Sequence, residues 1–255
     1  GPLEAEDPAV AAVVRREAER QRSHLILIPS ENYTSRGIRA AQGSVFLREE
    51  FSDLANWRPV TFPKIREHTR YSIETLERES VLRAESQASA SAIVHRMTFN
   101  VPDHPRLRWA WRVDNVYRKG NARSKEGDDY PLRIYVLFEY DPEKAAALDR
   151  AKYGVARALY GEYPPHSALN YIWASQEDEE GILTNPYASN AKMIVLQKGR
   201  KNLGRWIVEE RNILDDYRRA FGTDPPARAT LGIMNDSDNT KEAAVAYVGF
   251  IEVYR

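Results

Sequence analysis

From residue 45 onward, apolar and polar side chains alternate in short runs that are separated by turn sequences. Alternation with a period of two places successive side chains on opposite faces of a strand, whereas a helix needs a period near 3.6. The pattern therefore predicts a chain built mainly of strands. The nine predicted strands cover residues 81–86, 90–97, 107–113, 130–140, 168–174, 192–197, 205–211, 227–234 and 244–253.

Many strands joined by turns, with few helices, are typical of an antiparallel β-sandwich or jelly roll. Two helical insertions are predicted, one over 141–159 that Asp141 caps and one over 213–221 that Gly222 ends. Ahead of the strands, Asp7-Pro8 marks the start of a helix over 8–22. We therefore expect an N-terminal helical segment over 1–44 and a β-sandwich domain over 45–255.

Composition narrows the classes of partner. Lys plus Arg and Asp plus Glu both number 37, so there is no net charge that would favour nucleic acid or an anionic membrane. The absence of cysteine excludes disulfides, thiolate metal sites and a cysteine nucleophile. No apolar run reaches the roughly 18 residues of a membrane span, and no signal peptide is visible at the start.

Two predicted strands carry strongly apolar stripes on one face, which indicates that these faces build the core. The stripes are Leu107, Trp109, Trp111 and Val113 on one strand, and Leu132, Ile134, Val136 and Phe138 on the next.

The faces opposite these stripes are charged and polar. If their strands are neighbours in one sheet, the side chains gather on one surface, where Asp128 and Asp129 add carboxylates from the preceding loop. Two interpretations stay open: a solvated outer face held by ion pairs, or a concave groove that binds an anionic or polyhydroxyl ligand. The strand residues concerned are Glu85, Arg108, Arg112, Arg133, Tyr135 and Asn170.

A second acidic loop follows the strand over 227–234. Its Asp236, Asp238 and Asn239 offer oxygen atoms that could hold Ca²⁺. The spacing is not that of an EF-hand, because the glycine and the distal glutamate are missing, and such residues are also ordinary turn formers. The sequence shows no nucleophile elbow, phosphate loop or histidine metal spacing.

The first forty or so residues carry one resemblance. They contain D-P at 7–8, R-Q-R at 20–22, L-I-L-I-P-S-E-N-Y-T-S at 25–35 and G-S at 43–44. This order of motifs resembles the N-terminus of serine hydroxymethyltransferases, which hold pyridoxal phosphate on a lysine in an α/β domain. The next residues, 46–53, do not match that family, so we expect neither this activity nor bound pyridoxal phosphate. Ser30 and Glu31 are expected to act as a local helix cap.

Residues 46–253 carry a second resemblance, to a bacterial and usually exported family of unknown function. It implies the extent of the domain and a periplasmic or secreted location, and no established activity. The opening Glu-x-Phe…Trp and the closing strand also resemble jelly-roll carbohydrate-binding modules. The motifs that carry the family resemblance lie at 50–57, 81–91, 107–113, 125–130, 170–173, 215–217, 221–222 and 235–240.

Three functional hypotheses follow. The first is a module that binds a polysaccharide or cell-envelope glycan. The second is a hydrolase or lyase that acts on an acidic polysaccharide. The third is a structural or assembly protein that forms a homo-oligomer through the N-terminal helix.

Overall fold

A computed structural model describes residues 44–143 and 164–255. Within these ranges the chain forms fourteen strands, the helix α1 and one 3-10 turn at Lys125–Gly127. The predicted helix over 8–22 lies outside the described residues. The same holds for the predicted helix over 141–159, except for residues 141–143. The elements are β1 Val45–Glu49, β2 Trp57–Val60, β3 Arg70–Leu76, β4 Glu79–Gln87, β5 Ala90–His95, β6 Phe99–Asn100, β7 Arg106–Val113, β8 Arg133–Phe138, β9 Ser167–Ala174, β10 Ile182–Thr184, β11 Ala191–Lys198, β12 Ile207–Asn212, α1 Ile213–Phe221, β13 Arg228–Asp236 and β14 Ala243–Tyr254.

These strands form two sheets. Sheet A has the order β12-β7-β14-β4-β3, with β1 also paired to β14. Sheet B has the order β10-β11-β9-β8-β13-β5-β2, with β6 also paired to β13. The prediction of a purely antiparallel sandwich is corrected at one place, because β9 and β11 are parallel. Parallel neighbours need a crossover connection, and here β10 occupies it by pairing with the outer side of β11.

The core lies between the sheets. Both predicted apolar stripes are fully buried, which confirms the prediction of a β-sandwich core. Aromatic contacts join β7 to β9 across the gap, since the ring of Trp109 lies 5.1 Å from Tyr171 and that of Trp111 lies 5.7 Å from Trp173. Pairs at this spacing contribute beyond their buried area.

The described helix matches its prediction over 213–221. Asn212 caps it by accepting hydrogen bonds from the backbone of Leu214 and Asp215, and Gly222 ends it at φ 74°. All nine predicted strands are present, with ends shifted by a few residues. Among the described residues, β1, β2, β3, β6 and β10 were missed. These strands are short or half-buried, so their alternation is weak, and β2 contains Pro59.

Within the two described ranges, no helix is long and apolar enough to cross a membrane.

Candidate functional site

The predicted charged surface is divided between the two sheets. Glu85 on β4 and both Arg108 and Arg112 on β7 belong to sheet A, whereas β8 and β9 belong to sheet B. The expectation of one shared surface is therefore wrong. Its premise fails because the chain crosses from one sheet to the other between β7 and β8, so that their polar faces point away from each other on either side of the core.

The outer face of sheet A carries exposed or half-exposed ion pairs. Arg112 contacts Asp114 at 2.8 Å, and Glu85 accepts a hydrogen bond from Arg83 at 2.5 Å. The guanidinium of Arg108 lies over the ring of Phe250, 5.7 Å from its centroid. Exposed pairs of this kind contribute about 0–1 kcal/mol each. On this face, the structure therefore fits the interpretation of a solvated surface.

The outer face of sheet B is different, because connecting segments pack on it. The loop over 114–132 places Ala122 and Tyr130 against β9 and β11, and the segment after β2 places Phe62 and Ile65 against β5 and β13. A polar strip lies on the central strands β8 and β9 of this face. It consists of Arg133, Tyr135 and Asn170.

Arg133 is buried and forms a two-point ion pair with Asp236. Its Nε donates to Asp236 Oδ1 at 3.0 Å and its Nη2 donates to Asp236 Oδ2, while Nη2 also donates to the carbonyl oxygen of Asp128 at 3.1 Å. The guanidinium lies 4.4 Å from the ring centroid of Tyr130. Burial raises the pKa of Asp236 to about 7, against the opposing effect of Arg133.

Asp129 joins two loops that are distant in sequence. Its Oδ1 accepts hydrogen bonds from the backbone and side-chain nitrogens of Asn239, both at 3.2 Å, and its Oδ2 accepts one from the backbone of Thr240 at 2.5 Å. The carboxylate therefore fixes the 237–242 loop against the 114–132 loop. Both acidic loops predicted from the sequence meet here.

Asp128 brings in a third loop. Its two carboxylate oxygens accept hydrogen bonds from Asn185 Nδ2 at 3.2 and 3.0 Å. This contact anchors the 185–190 loop, which presents Tyr187.

Tyr187 is 58% exposed, yet its ring is held in place. Its hydroxyl lies 3.1 Å from Asn239 Oδ1 and 3.0 Å from the carbonyl oxygen of Lys125. The ammonium of Lys125 lies 5.4 Å from the ring centroid. Partial burial raises the pKa of the Tyr187 hydroxyl, and the negative charges of Asp128 and Asp238 raise it further by smaller amounts.

On the strip itself, Tyr135 and Asn170 face each other across β8 and β9. Tyr135 lies opposite Gly232 on β13, where an added Cβ would lie 3.3 Å from the Tyr135 Cβ. Its hydroxyl lies 3.6 Å from Met234 Sδ, so the ring leans over the sheet. Asn170 is 1% exposed, and its buried Oδ1 accepts no hydrogen bond from the described parts of the chain. An unpaired buried oxygen of this kind is costly unless water or a ligand satisfies it.

We refer to this ensemble as the sheet B site. Sequence reasoning missed several of its residues, although the Asn-Pro turn at 185–186 was a visible signal. Their roles depend on contacts between distant loops, which a single sequence does not show. The sheet B site consists of Asp128, Asp129, Tyr130, Arg133, Tyr135, Asn170, Asn185, Tyr187, Asp236, Asp238, Asn239 and Thr240.

Calcium was predicted at Asp236, Asp238 and Asn239. The carboxylate oxygens of Asp129, Asp236 and Asp238 lie within 4.8 Å of one another. Arg133 engages both oxygens of Asp236, and the 237–242 loop engages both oxygens of Asp129. Asn239 Oδ1 is within hydrogen-bonding distance of Tyr187. A cation would share these oxygens with donors that already engage them and would lie near the guanidinium of Arg133, so we expect Ca²⁺ to bind here weakly.

We therefore expect millimolar calcium to leave the melting temperature of the protein unchanged, with magnesium as the control cation. A binding cation stabilises the folded state in proportion to its concentration over its dissociation constant. A calcium-specific rise in melting temperature that EDTA reverses, and that Asp238→Asn removes, would show instead that the predicted metal site binds Ca²⁺.

The fold and this site define a two-sheet β-sandwich protein with a loop-built polar site on one outer face. The chain belongs to the family described as "Protein of unknown function (DUF3047)", whose family model matches residues 55–252. This membership confirms the resemblance drawn from the sequence.

A serine hydroxymethyltransferase family model matches residues 3–53, so the expectation that residues 46–53 lie outside this resemblance is wrong. The chain is 57% identical over 44 residues to a probable cytosolic serine hydroxymethyltransferase of Schizosaccharomyces pombe, a match that covers 17% of this chain and 9% of that protein. It is 59% identical over 39 residues to the enzyme of Microcystis aeruginosa, covering 15% of this chain and 9% of that protein. The chain thus spans about a tenth of the length of these relatives.

Among solved structures, the fold is similar to a family 11 carbohydrate-binding module from Clostridium thermocellum in complex with a β-1,3-1,4-mixed-linked tetrasaccharide. That match has 7% identity and a TM-score of 0.40, and covers 80% of this chain and 92% of that one. A second similar structure is winged bean acidic lectin complexed with methyl-α-D-galactose, at 7% identity and a TM-score of 0.35, covering 77% and 98% of the two chains.

Proposed function

We propose that the domain binds a polysaccharide or cell-envelope glycan at the sheet B site. The observation that carries the proposal is Tyr187, a ring that is more than half exposed and yet fixed by its hydroxyl. An exposed aromatic side chain usually gains nothing from being held in one position. A fixed ring offers contact area without loss of side-chain entropy on binding.

The surroundings of Tyr187 supply the polar half of such a site. A sugar presents apolar C–H groups on its ring faces and hydroxyl groups around its rim, so it needs an aromatic surface together with carboxylate and amide groups. Asp128, Asp238 and Asn239 lie around the Tyr187 hydroxyl. On the same face, the side-chain oxygen of Asn170 is buried and has no hydrogen-bond donor among the described residues.

The proposal is for binding without catalysis. Glycoside hydrolysis needs two carboxyl groups on opposite sides of the bond, about 5–9.5 Å apart. Of the three neighbouring carboxylates of Asp129, Asp236 and Asp238, the protein already engages the first two, which leaves Asp238 without an unengaged carboxylate beside it in this cluster. Burial raises the pKa of Tyr135 to about 12, so this hydroxyl is a poor base for a lyase. Because the hydroxymethyltransferase match ends at residue 53, the proposal includes no such activity.

Tyr187→Ala should weaken glycan binding by about 2 kcal/mol, or roughly thirtyfold, because it removes the aromatic anchor. A glycan array identifies the best-bound sugar, and titration calorimetry then measures its affinity. The glycan affinity of Tyr187→Phe should lie between those of wild type and Tyr187→Ala, since this variant keeps the ring and loses the hydroxyl contacts that fix it.

Arg108→Ala on the outer face of sheet A is the matched control, because it removes another ring-contacting side chain far from the site. It should leave binding unchanged. If no glycan on the array binds, or if Tyr187→Ala binds as well as wild type, the proposed function is wrong. A larger loss in Arg108→Ala than in Tyr187→Ala would move the site to sheet A.

A further inference from the structure

We infer that the sheet B site selects glycans that are neutral or carry a protonated amine, and that it rejects glycans bearing uronate or sulfate groups. This inference rests on the proposed function and adds the charge class of the ligand. It departs from one of the interpretations that the sequence left open, in which the arginines of this region bind an anionic ligand.

The first argument is that Arg133 is already occupied. Its Nε and Nη2 atoms donate to the carboxylate of Asp236, and Nη2 also donates to the carbonyl oxygen of Asp128. Its remaining nitrogen, Nη1, lies 3.7 Å from Asp128 Oδ2, and Tyr130 lies against its flat face. A ligand carboxylate recognises arginine through two parallel N–H groups, and Asp236 already takes that position.

The second argument is the sign of the remaining charge. Asp236 neutralises Arg133, so the carboxylates of Asp128, Asp129 and Asp238 dominate the inner part of the site. Asp128 and Asp129 are buried, where their charge is screened less than it is at the surface. An anionic sugar that approached this region would meet like charges, and the guanidinium of Arg133 is already taken up by Asp236.

Cations lie at the rim of the site and do not reverse this sign. The ammonium of Lys125 lies over the Tyr187 ring, and Lys119 Nζ donates to the carbonyl oxygen of Thr240 at 3.3 Å. Lys241 lies near Asp238. The carboxylates of Asp128 and Asp238 nonetheless help to raise the pKa of the Tyr187 hydroxyl, although Lys125 is close to the ring. The carboxylates around this hydroxyl, Asp128, Asp129 and Asp238, thus outnumber the one ammonium that lies over the ring.

The inference is tested with hexasaccharides of matched linkage: a neutral β-1,4-glucan hexamer, its β-1,4-linked glucosamine counterpart and a β-1,4-linked glucuronate hexamer, together with an array that holds all three classes. We expect the neutral and amine-bearing classes to bind, and the uronate class to bind at least tenfold more weakly. Raising the salt concentration should narrow this difference, because salt screens the repulsion.

Asp238→Asn is the informative variant, since Asp238 is half-buried and its side chain forms no ion pair with the described residues that its loss would break. This variant should reduce the ratio of the affinities for the neutral and the uronate hexamer by about three- to tenfold, which is the effect expected of one nearby charge. Asp215→Asn on α1 is the matched control, because it removes an exposed carboxylate elsewhere, and it should leave the difference unchanged.

The outcomes separate the two proposals. If the uronate hexamer binds as tightly as the neutral one or more tightly, the charge class is overturned and the glycan-binding function stands. If no class binds, or if Tyr187→Ala leaves all binding unchanged, the function fails and the charge class fails with it.

Discussion

Replacing Arg133 with methionine should lower the free energy of unfolding by about 3–5 kcal/mol, because it leaves the carboxylate of Asp236 buried without its partner. Both side chains are almost completely buried, and two hydrogen bonds join them. Urea unfolding measures the change. Arg112→Met is the matched control, because its pair with Asp114 is partly exposed, and it should cost at most about 1 kcal/mol.

The penalty of Arg133→Met should grow with pH. Burial raises the pKa of Asp236 from 3.8 to about 7 in the folded protein. A carboxyl group whose pKa is raised on folding binds its proton more tightly in the folded state, so its contribution to stability falls as the pH rises through that interval. Arg133 opposes this effect, and its removal raises the pKa of Asp236 further. Unfolding at pH 5 should therefore show a smaller penalty than unfolding at pH 8.

A double variant separates the charge effect from packing. Arg133→Met combined with Asp236→Leu removes both charges, so its penalty should be clearly smaller than the sum of the two single penalties. A penalty for Arg133→Met below about 1 kcal/mol that is the same at both pH values would show that the pair does not hold this site together.

Local alternation was enough to predict most of the sandwich. The residues Trp109, Trp111, Ile134 and Val136 lie at every second position of their strands, and each lies in the core as predicted. Alternation shows which residues share a face of a strand, but it does not show which strands pair. The grouping of Arg108 with Arg133 failed for that reason, because no local signal shows that the chain changes sheets between β7 and β8.

The same limit applies to the sheet B site. Asp128, Asp129 and Arg133 are close in sequence, so their composition alone marked them as candidates. That Asp236 pairs with Arg133 follows from the antiparallel pairing of β8 and β13, which joins residues about a hundred positions apart. Tyr187 was missed because an exposed tyrosine after a turn is unremarkable until its hydroxyl contacts are known.

Asp129→Ala should lower the free energy of unfolding by about 3 kcal/mol and should also weaken glycan binding. The carboxylate accepts three hydrogen bonds from the 237–242 loop, and hydrogen bonds to a charged group are stronger than those to a neutral one. The backbone N–H of the buried Thr240 would lose its acceptor. Because Asn239 contacts the Tyr187 hydroxyl, release of this loop should also free the ring, and we expect about a tenfold loss of affinity.

Hydrogen exchange locates the effect, since the amides of Asn239 and Thr240 should exchange faster in Asp129→Ala while those of β4 and β7 stay protected. The stability of Asp129→Asn should lie between those of wild type and Asp129→Ala. Its side-chain carbonyl can still accept a hydrogen bond from Asn239, while its amide group faces the backbone N–H of Thr240, which is another donor. Asp53→Ala is the matched control: Asp53 is exposed and accepts one local hydrogen bond from Ala55, so its loss should cost less than about 1 kcal/mol. If Asp129→Ala releases the loop while the affinity stays unchanged, the fixed position of Tyr187 is irrelevant to binding, and the proposed site loses its main support.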